Sequence, residues 1–294
     1  MSILFLDMTR GVGTDLGIRL SQALNAEYGN IESRHFPDGE LYQRVLSEVA
    51  GRDVIIFTNL FNPDIQLFEL LSLGHTLKEI GAKQRILVCP YLPYMRQDIR
   101  FHPGESVTSR HFAKHLSLAF DKLITVDPHL HRYNSLNEIY SLESLVVSAQ
   151  SAITQYLNSL PQTLLLIGPD EESEQWVAAI AKAAQLPYQI LVKQRSGDYE
   201  VEVSQPKLAP YRDHRPVLVD DIISSGRTML STLEHLALAG MPQPLVIGVH
   251  GIFADDAFEL LTQHAEVLTC NSIPHVSNHI DLLETLTDAC IQIR

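Results

Sequence analysis

The sequence predicts an α/β protein built on two mainly parallel sheets. Short apolar runs alternate with amphipathic helical stretches along the whole chain, and strand–helix alternation produces parallel sheets joined by right-handed crossovers. The second observation is length: 294 residues fit one large domain or two medium ones. In order, "VIIFT" (Val54–Thr58), "ILVCP" (Ile86–Pro90) and "LITVD" (Leu123–Asp127) read as strands. Continuous apolar runs of this length suit strands covered on both faces. Between the first two lies "DIQLFELLSLGHTLKEIG". Its Leu67, Leu70, Leu71, Leu77 and Ile80 fall mostly on one helical face, and Gly81 suits the stop. A further helix starts near Val107.

The pattern then repeats. Leu164–Gly168, Tyr188–Val192, Pro216–Asp220 and Leu245–His250 read as strands, and "EESEQWVAAIAKAA" and "TMLSTLEHLALAG" as helices. In the second helix Met229, Leu233, Leu236 and Ala237 share a face, and Gly240 ends it. The boundary between the two sheets falls within 141–162. No low-complexity linker marks it, so close packing of the two domains is expected. The halves share an architecture without a strict sequence repeat.

Composition narrows the function classes. With 45% hydrophobic and 19% charged residues the chain is ordinarily globular. A net charge of −13, from 35 acidic and 22 basic residues, argues against a general nucleic-acid or anionic-membrane binder. It leaves room for small anions, which local amides, Lys and Arg hold on an acidic protein. Cys89, Cys270 and Cys290 are scattered and form no CxxC, so buried free thiols in a reducing compartment are expected. The start "MSILFLDMTRGVG" has no signal-peptide pattern. No apolar run approaches the roughly 18 residues of a membrane helix. A cytoplasmic location without membrane partners follows as the expectation.

The stretch "VLVDDIISSGRTML" (Val217–Leu230) carries the most chemistry. In open α/β sheets ligands bind beyond the carboxyl ends of strands. Asp220 and Asp221 arrive at that edge, and a turn leads to a helix near Thr228. Amides of such a turn converge on an anion, and the helix N-terminus adds positive potential. Ser224, Ser225 and Thr228 bring hydroxyls, and Gly226 permits positive φ or close approach of a ligand. Paired carboxylates suit sugar hydroxyls or a hydrated Mg2+. A capped helix start accounts for the same letters, since Ser and Thr are good N-caps.

The string "DDIISSGRT" resembles the PRPP-binding loop of type I phosphoribosyltransferases, with Arg227 where that family usually has Gly. "FPDGELYQRV" (Phe36–Val45), "YLPYMRQDIRFHPGESVTSRHFAKHL" (Tyr91–Leu116) and "TVDPHLHRYNSLNEIY" (Thr125–Tyr140) resemble ribose-phosphate pyrophosphokinase, or PRPP synthase, with a lean towards its archaeal-like branch. The resemblance covers nearly the whole chain in the right order. It implies two phosphoribosyltransferase-like α/β domains, residues 1–145 with the ATP segments and 146–294 with the ribose 5-phosphate loop. The implied enzyme is a transferase of nucleotide biosynthesis. It moves the β,γ-diphosphate of ATP to O1 of ribose 5-phosphate and yields PRPP and AMP. The implied cofactor is magnesium, Mg2+, and the implied assembly is a homo-oligomer with the active site at a subunit interface.

The resemblance assigns residues one by one. Phe36, Asp38 and Glu40 match the adenine-binding segment, which comes from a neighbouring subunit. Stacking by Phe and acceptance of the exocyclic NH by carboxylates give that match chemical sense, although "PDG" is also a plain turn signal. Arg96 and Gln97 match the ATP-contacting pair, and an Arg can meet a polyphosphate bidentately. His129 matches the Asp-x-His motif opened by Asp127, near Mg2+ and the ATP phosphates. His131, two residues on, reads as solvent-facing, because two His without a third ligand are weak evidence for a transition metal. Asp170 matches a second metal position. Lys193 and Arg195 match the mobile catalytic loop, whose charge closes over the transferring group. Asp220, Asp221, Ser224, Ser225, Gly226 and Thr228 match the ribose 5-phosphate site.

Departures are local. Glu171, Glu172 and Ser173 follow Asp170 where small residues are usual, and of the basic residues after "RQD" only Arg100 remains. Three alternatives stay open: a phosphoribosyltransferase that consumes PRPP, a paralogue acting on another phosphosugar, and a non-catalytic associated subunit. The first leaves "FPDGE" and "RQD" unexplained. The survival of Lys193 and Arg195 weighs against the last.

Overall fold

The computed structural model describes residues 2–9, 15–168, 173–190, 193–196, 200–203 and 208–294, with 193–196 and 200–203 as backbone. The chain divides into two compact units. Unit 1 holds Met1–Ser148, Ser272–Pro274 and Leu283–Arg294; unit 2 holds Ala149–Asn271 and His275–Leu282.

Unit 1 opens with β1 (Ile3–Asp7), α1 (Leu16–Ala23) and β2 (Glu27–Tyr28). A ribbon follows, β3 (Ile31–His35) and β4 (Leu41–Val45). Then come β5 (Asp53–Phe57), α2 (Pro63–Glu79), β6 (Gln84–Val88), α3 (Thr108–Ala119), β7 (Lys122–Val126) and β8 (Glu143–Val147). The main sheet has the order β2-β1-β5-β6-β7-β8, and all its pairs are parallel. Leu4, Leu6, Val54, Ile56 and Leu87 share one core with Leu70, Leu73 and Leu77 of α2 and Leu116 of α3. The intervening Phe5 and Ile55 point to the other face and are equally buried. Burial on both faces is why these strands read as unbroken apolar runs.

Unit 2 runs α4 (Gln150–Ser159), β9 (Leu164–Gly168), α5 (Glu174–Ala184), β10 (Tyr188–Ile190), a second ribbon of β11 (Lys193–Ser196) and β12 (Glu200–Val203), and β13 (Arg215–Ile223). It continues with α6 (Arg227–Leu238), β14 (Leu245–Gly251), α7 (Ala257–Thr262), β15 (Glu266–Cys270) and β16 (Asn278–Ile280). Its sheet, β10-β9-β13-β14-β15-β16, is again parallel throughout. The chain then returns to unit 1 as α8 (Leu283–Ile293). There Lys122 Nζ on β7 donates to the Ile293 carbonyl at 2.5 Å. The units are therefore not two successive stretches of chain, a return that no local pattern announces.

Two helical faces differ from the sequence reading. Ile80 is 42% exposed, because α2 stops at Glu79, and Leu73 is fully buried, because it shares the face of Leu70 and Leu77. In α6 the buried stripe is Met229, Thr232, Leu233 and Leu236; Ala237 lies one step round the helix from Leu236 and is exposed. All three cysteines are free and buried. No helix among the described residues is long and apolar enough to cross a membrane.

Candidate active site

In unit 2, β13 carries Asp220 and Asp221 to its carboxyl end, both half-buried. The Asp221 N–H donates to Asp220 Oδ1 at 3.0 Å, which orients the first carboxylate along the backbone. The loop is then fixed by its carbonyls. Ile223 O accepts from Ile252 and Phe253, at 2.9 and 3.0 Å, and Ser224 O accepts from Ala254 at 3.1 Å. Gly226 takes φ +65° immediately before α6. A Cβ there would meet Leu261 Cδ1 at 3.1 Å, so glycine answers both to backbone conformation and to space. No side chain caps α6, and the first amides of a helix have no intrahelical acceptor. Ser225 is exposed and Ser224 and Thr228 are half-buried around them. Orphan amides, hydroxyls and the positive helix end form the donor set that a phosphate dianion needs. Arg227 is the first residue of α6 and is exposed, so its bulk leaves the turn uncrowded.

Lys193 and Arg195 sit at alternate positions of β11, opposite Val203 and Val201 of β12. Asp170, Glu171 and Glu172 lie outside the described residues, beyond the end of β9.

In unit 1, Arg96 and Gln97 follow the carboxyl end of β6, and His129 follows that of its neighbour β7. Arg96 is exposed and Gln97 half-buried. Gln97 O accepts from Ser109 N at 3.3 Å, which ties the loop to the start of α3. Burial pushes the Tyr91 hydroxyl upward in pKa against the opposing charge of Arg96. Tyr94, held at φ +63°, is pushed up to about 12 by burial and by its bond to Asp64. After β7, Asp127 takes φ +33°, turning the chain so that half-buried His129 lies with its ring centroid 3.9 Å from that of exposed His131.

A brace joins these two loops, and the sequence reading missed it. Asp98, only 2% exposed, accepts from Arg132 Nη1 at 2.9 Å on Oδ1 and 3.1 Å on Oδ2. Tyr133 OH donates to the Asp98 carbonyl at 3.1 Å and accepts from Arg110 Nε at 3.3 Å. Asp98 adjoins Arg96 and Gln97, and Arg132 lies three residues beyond His129. The signal available was adjacency to quoted motifs; nothing in the residues announced the pairing.

Phe36, Asp38 and Glu40 form the turn of the β3–β4 ribbon. Phe36 N–H donates to Glu40 O at 2.8 Å and Gly39 N–H to Phe36 O at 2.9 Å, while Asp38 Oδ1 accepts from Glu40 N at 3.2 Å. All three are exposed, Phe36 by 42%. The ribbon is anchored to α2: Ser33 Oγ donates to Glu69 Oε1 at 2.5 Å and Gln43 Nε2 to Glu69 O at 3.4 Å.

Residues 9–119 match the N-terminal domain of ribose phosphate pyrophosphokinase, and residues 135–281 the phosphoribosyl transferase domain. The chain is 31% identical to the ribose-phosphate pyrophosphokinase of Pyrococcus abyssi, over 87% of this chain and 88% of that one. It is equally identical, 31%, to that of Methanopyrus kandleri, over 94% and 95%. The chain belongs to the ribose-phosphate pyrophosphokinase family. A crystal structure of phosphoribosylpyrophosphate synthetase from Mycobacterium smegmatis shares the fold, with a TM-score of 0.85 at 21% identity, covering 100% of this chain and 99% of that one. Two phosphoribosyltransferase-like domains with parallel sheets follow, as the resemblance implied.

Proposed function

We propose that this chain transfers the β,γ-diphosphate of ATP to O1 of ribose 5-phosphate, forming PRPP and AMP. The observation that carries the reading is the β13–α6 junction. It sets two carboxylates and a glycine-turned helix N-terminus at one sheet edge, within a chain that matches the family almost end to end. The sugar phosphate sits on the amides and hydroxyls of 224–228, and Asp220 and Asp221 accept from the ribose hydroxyls. In unit 1, Arg96 and Gln97 hold the polyphosphate, and Phe36, Asp38 and Glu40 take the base, supplied by a neighbouring copy in a homo-oligomer.

The sugar O1 attacks the β-phosphorus as the bond to the α-phosphate's bridging oxygen breaks. AMP leaves with that electron pair, and the O1 proton passes to solvent. Positioned positive charge does the work in such a transfer, and Lys193 and Arg195 supply it over the moving group. No covalent intermediate is needed.

The donor chemistry fits Mg2+. This ion prefers oxygen, keeps several waters and is held by one or two carboxylates together with substrate phosphates. Asp170, Asp220 and Asp221 offer such oxygens. His129, a nitrogen donor, suits a phosphate oxygen or a metal-bound water better than direct ligation. When bound, the ion neutralises phosphate charge. Phosphorus NMR of the purified chain with ATP, Mg2+ and ribose 5-phosphate tests the reading. PRPP and AMP in equal amounts are expected. ADP and a phosphosugar, or no turnover with ATP bound, would overturn it.

A further inference from the structure

We propose that Arg34 and Tyr42 are positioning residues that hold the Phe36 ring as a ready-made platform for the purine base. This rests on the reading of Phe36 given above and extends it to residues that reading does not use. In the β3–β4 ribbon Arg34 pairs directly with Tyr42. With a side-chain period of two, Phe36 lies on the same face as Arg34. On that face the Arg34 guanidinium lies 4.2 Å from the Tyr42 ring centroid and 4.9 Å from that of Phe36. The Phe36 and Tyr42 rings meet edge to face, centroids 6.1 Å apart at 86°. Phe36 is thus held on two sides although it is 42% exposed.

The other face of the ribbon is committed elsewhere. Ser33 and Gln43 bond to Glu69 of α2, and Ile31 and Val45 pack on the unit 1 core. The ribbon is therefore oriented by one face and presents the Arg34–Tyr42–Phe36 group on the other. A cross-strand pair that only stabilised the ribbon would need neither Phe36 nor a contact at the turn. An unsupported exposed Phe would have to be ordered when a base stacks on it. Ordering one such side chain weakens binding roughly two- to tenfold. Because the bracket acts alike on bound substrate and transition state, its loss should raise KM and leave kcat.

The test uses the full-length protein in its native assembly, with initial rates against ATP and against ribose 5-phosphate. Arg34→Ala and Tyr42→Leu should each raise KM for ATP roughly two- to tenfold. kcat and KM for ribose 5-phosphate should stay within about twofold, and Arg34→Lys, which keeps the cation, should restore part of the loss. Phe36→Ala is the reference. If it raises KM for ATP while Arg34→Ala and Tyr42→Leu do not, the bracket is overturned and the Phe36 reading stands. If Phe36→Ala also leaves KM for ATP unchanged, the Phe36 reading itself fails. A fall in kcat with no rise in KM would likewise overturn the bracket.

Discussion

The Asp98–Arg132 brace makes a demanding prediction. Replacing Arg132 by Met leaves the carboxylate of Asp98 in a place where it is 2% exposed, without the nitrogen that meets both its oxygens at 2.9 and 3.1 Å. Removing one partner of a fully buried pair costs about 3–5 kcal/mol, whereas exposed pairs contribute about 0–1 kcal/mol. The Arg132 side chain is 47% exposed, so this pair falls between, at about 2 kcal/mol. That corresponds to a fall in Tm of about 4–8 °C for a unit of this size. Thermal denaturation of the variant, with KM for ATP measured in parallel, is the assay; KM should rise because the loop carrying Arg96 and Gln97 loses its tie. The double change Asp98→Asn with Arg132→Met should cost less than Arg132→Met alone, since a neutral amide tolerates burial better than an unpaired charge. A Tm shift below about 1 °C in Arg132→Met, or a double variant worse than the single one, would refute the reasoning.

Other outcomes follow from the same geometry. Lys193→Ala should lower kcat by about two orders of magnitude or more while calorimetry still detects ATP binding; normal turnover would remove the β11 residues from the reaction. Asp121 is pushed up by burial, but hydrogen bonds and charge from Arg85 outweigh that and hold its carboxyl below the usual range. Its contribution to stability is therefore present above the unfolded pKa of about 3.9 and lost as pH falls through the lower folded value. Arg85→Met should flatten the acid limb of urea-denaturation stability between about pH 5 and 3; an unchanged limb would show that other groups set it. Arg227→Gln should stabilise the ligand-free protein by about 0.3–1 kcal/mol, because a cation opposes the positive end of α6. The same change should weaken ribose 5-phosphate binding, and equal signs in melting and titration experiments would contradict that assignment.

The sheets were legible because their strands are buried on both faces. Leu164–Gly168 coincides with β9, and Val54–Thr58, Ile86–Pro90 and Leu123–Asp127 miss β5, β6 and β7 by only one or two residues. Two five-residue strands inside their sheets, β1 and β15, are also largely buried yet went unread, and short or edge elements gave weaker patterns. β16 has three residues and β2 has two, too few for periodicity to register. α8 reads as an ordinary amphipathic helix, and nothing local says that it packs in unit 1 rather than beside β16. That choice is made by surfaces distant in sequence.

The candidate site divides along the same physical line. The residues named from motifs sit at strand ends or in turns, where short-range rules apply: Asp220 and Asp221 at the end of β13, Gly226 at φ +65°, Phe36 at a ribbon turn. The residues that hold them are different. Asp98 and Arg132 are 34 positions apart, and Arg34 faces Tyr42 only because the ribbon register sets them opposite. Asp98 and Arg132 lie in loops, which carry no period, and the Arg34–Tyr42 pairing depends on a register between two strands, so such pairs leave no trace until the fold brings them together. Arg227 marks the converse case. In the sequence it looks like an obstruction in a tight loop, because the letter stands where glycine is usual. At the first position of α6 its side chain leaves the turn for solvent, and the need for positive φ is met one residue earlier by Gly226. The departure thus changes the charge at the amino-terminal end of α6 while leaving the turn intact, so its effect should be read in melting and in titration alike, with opposite signs.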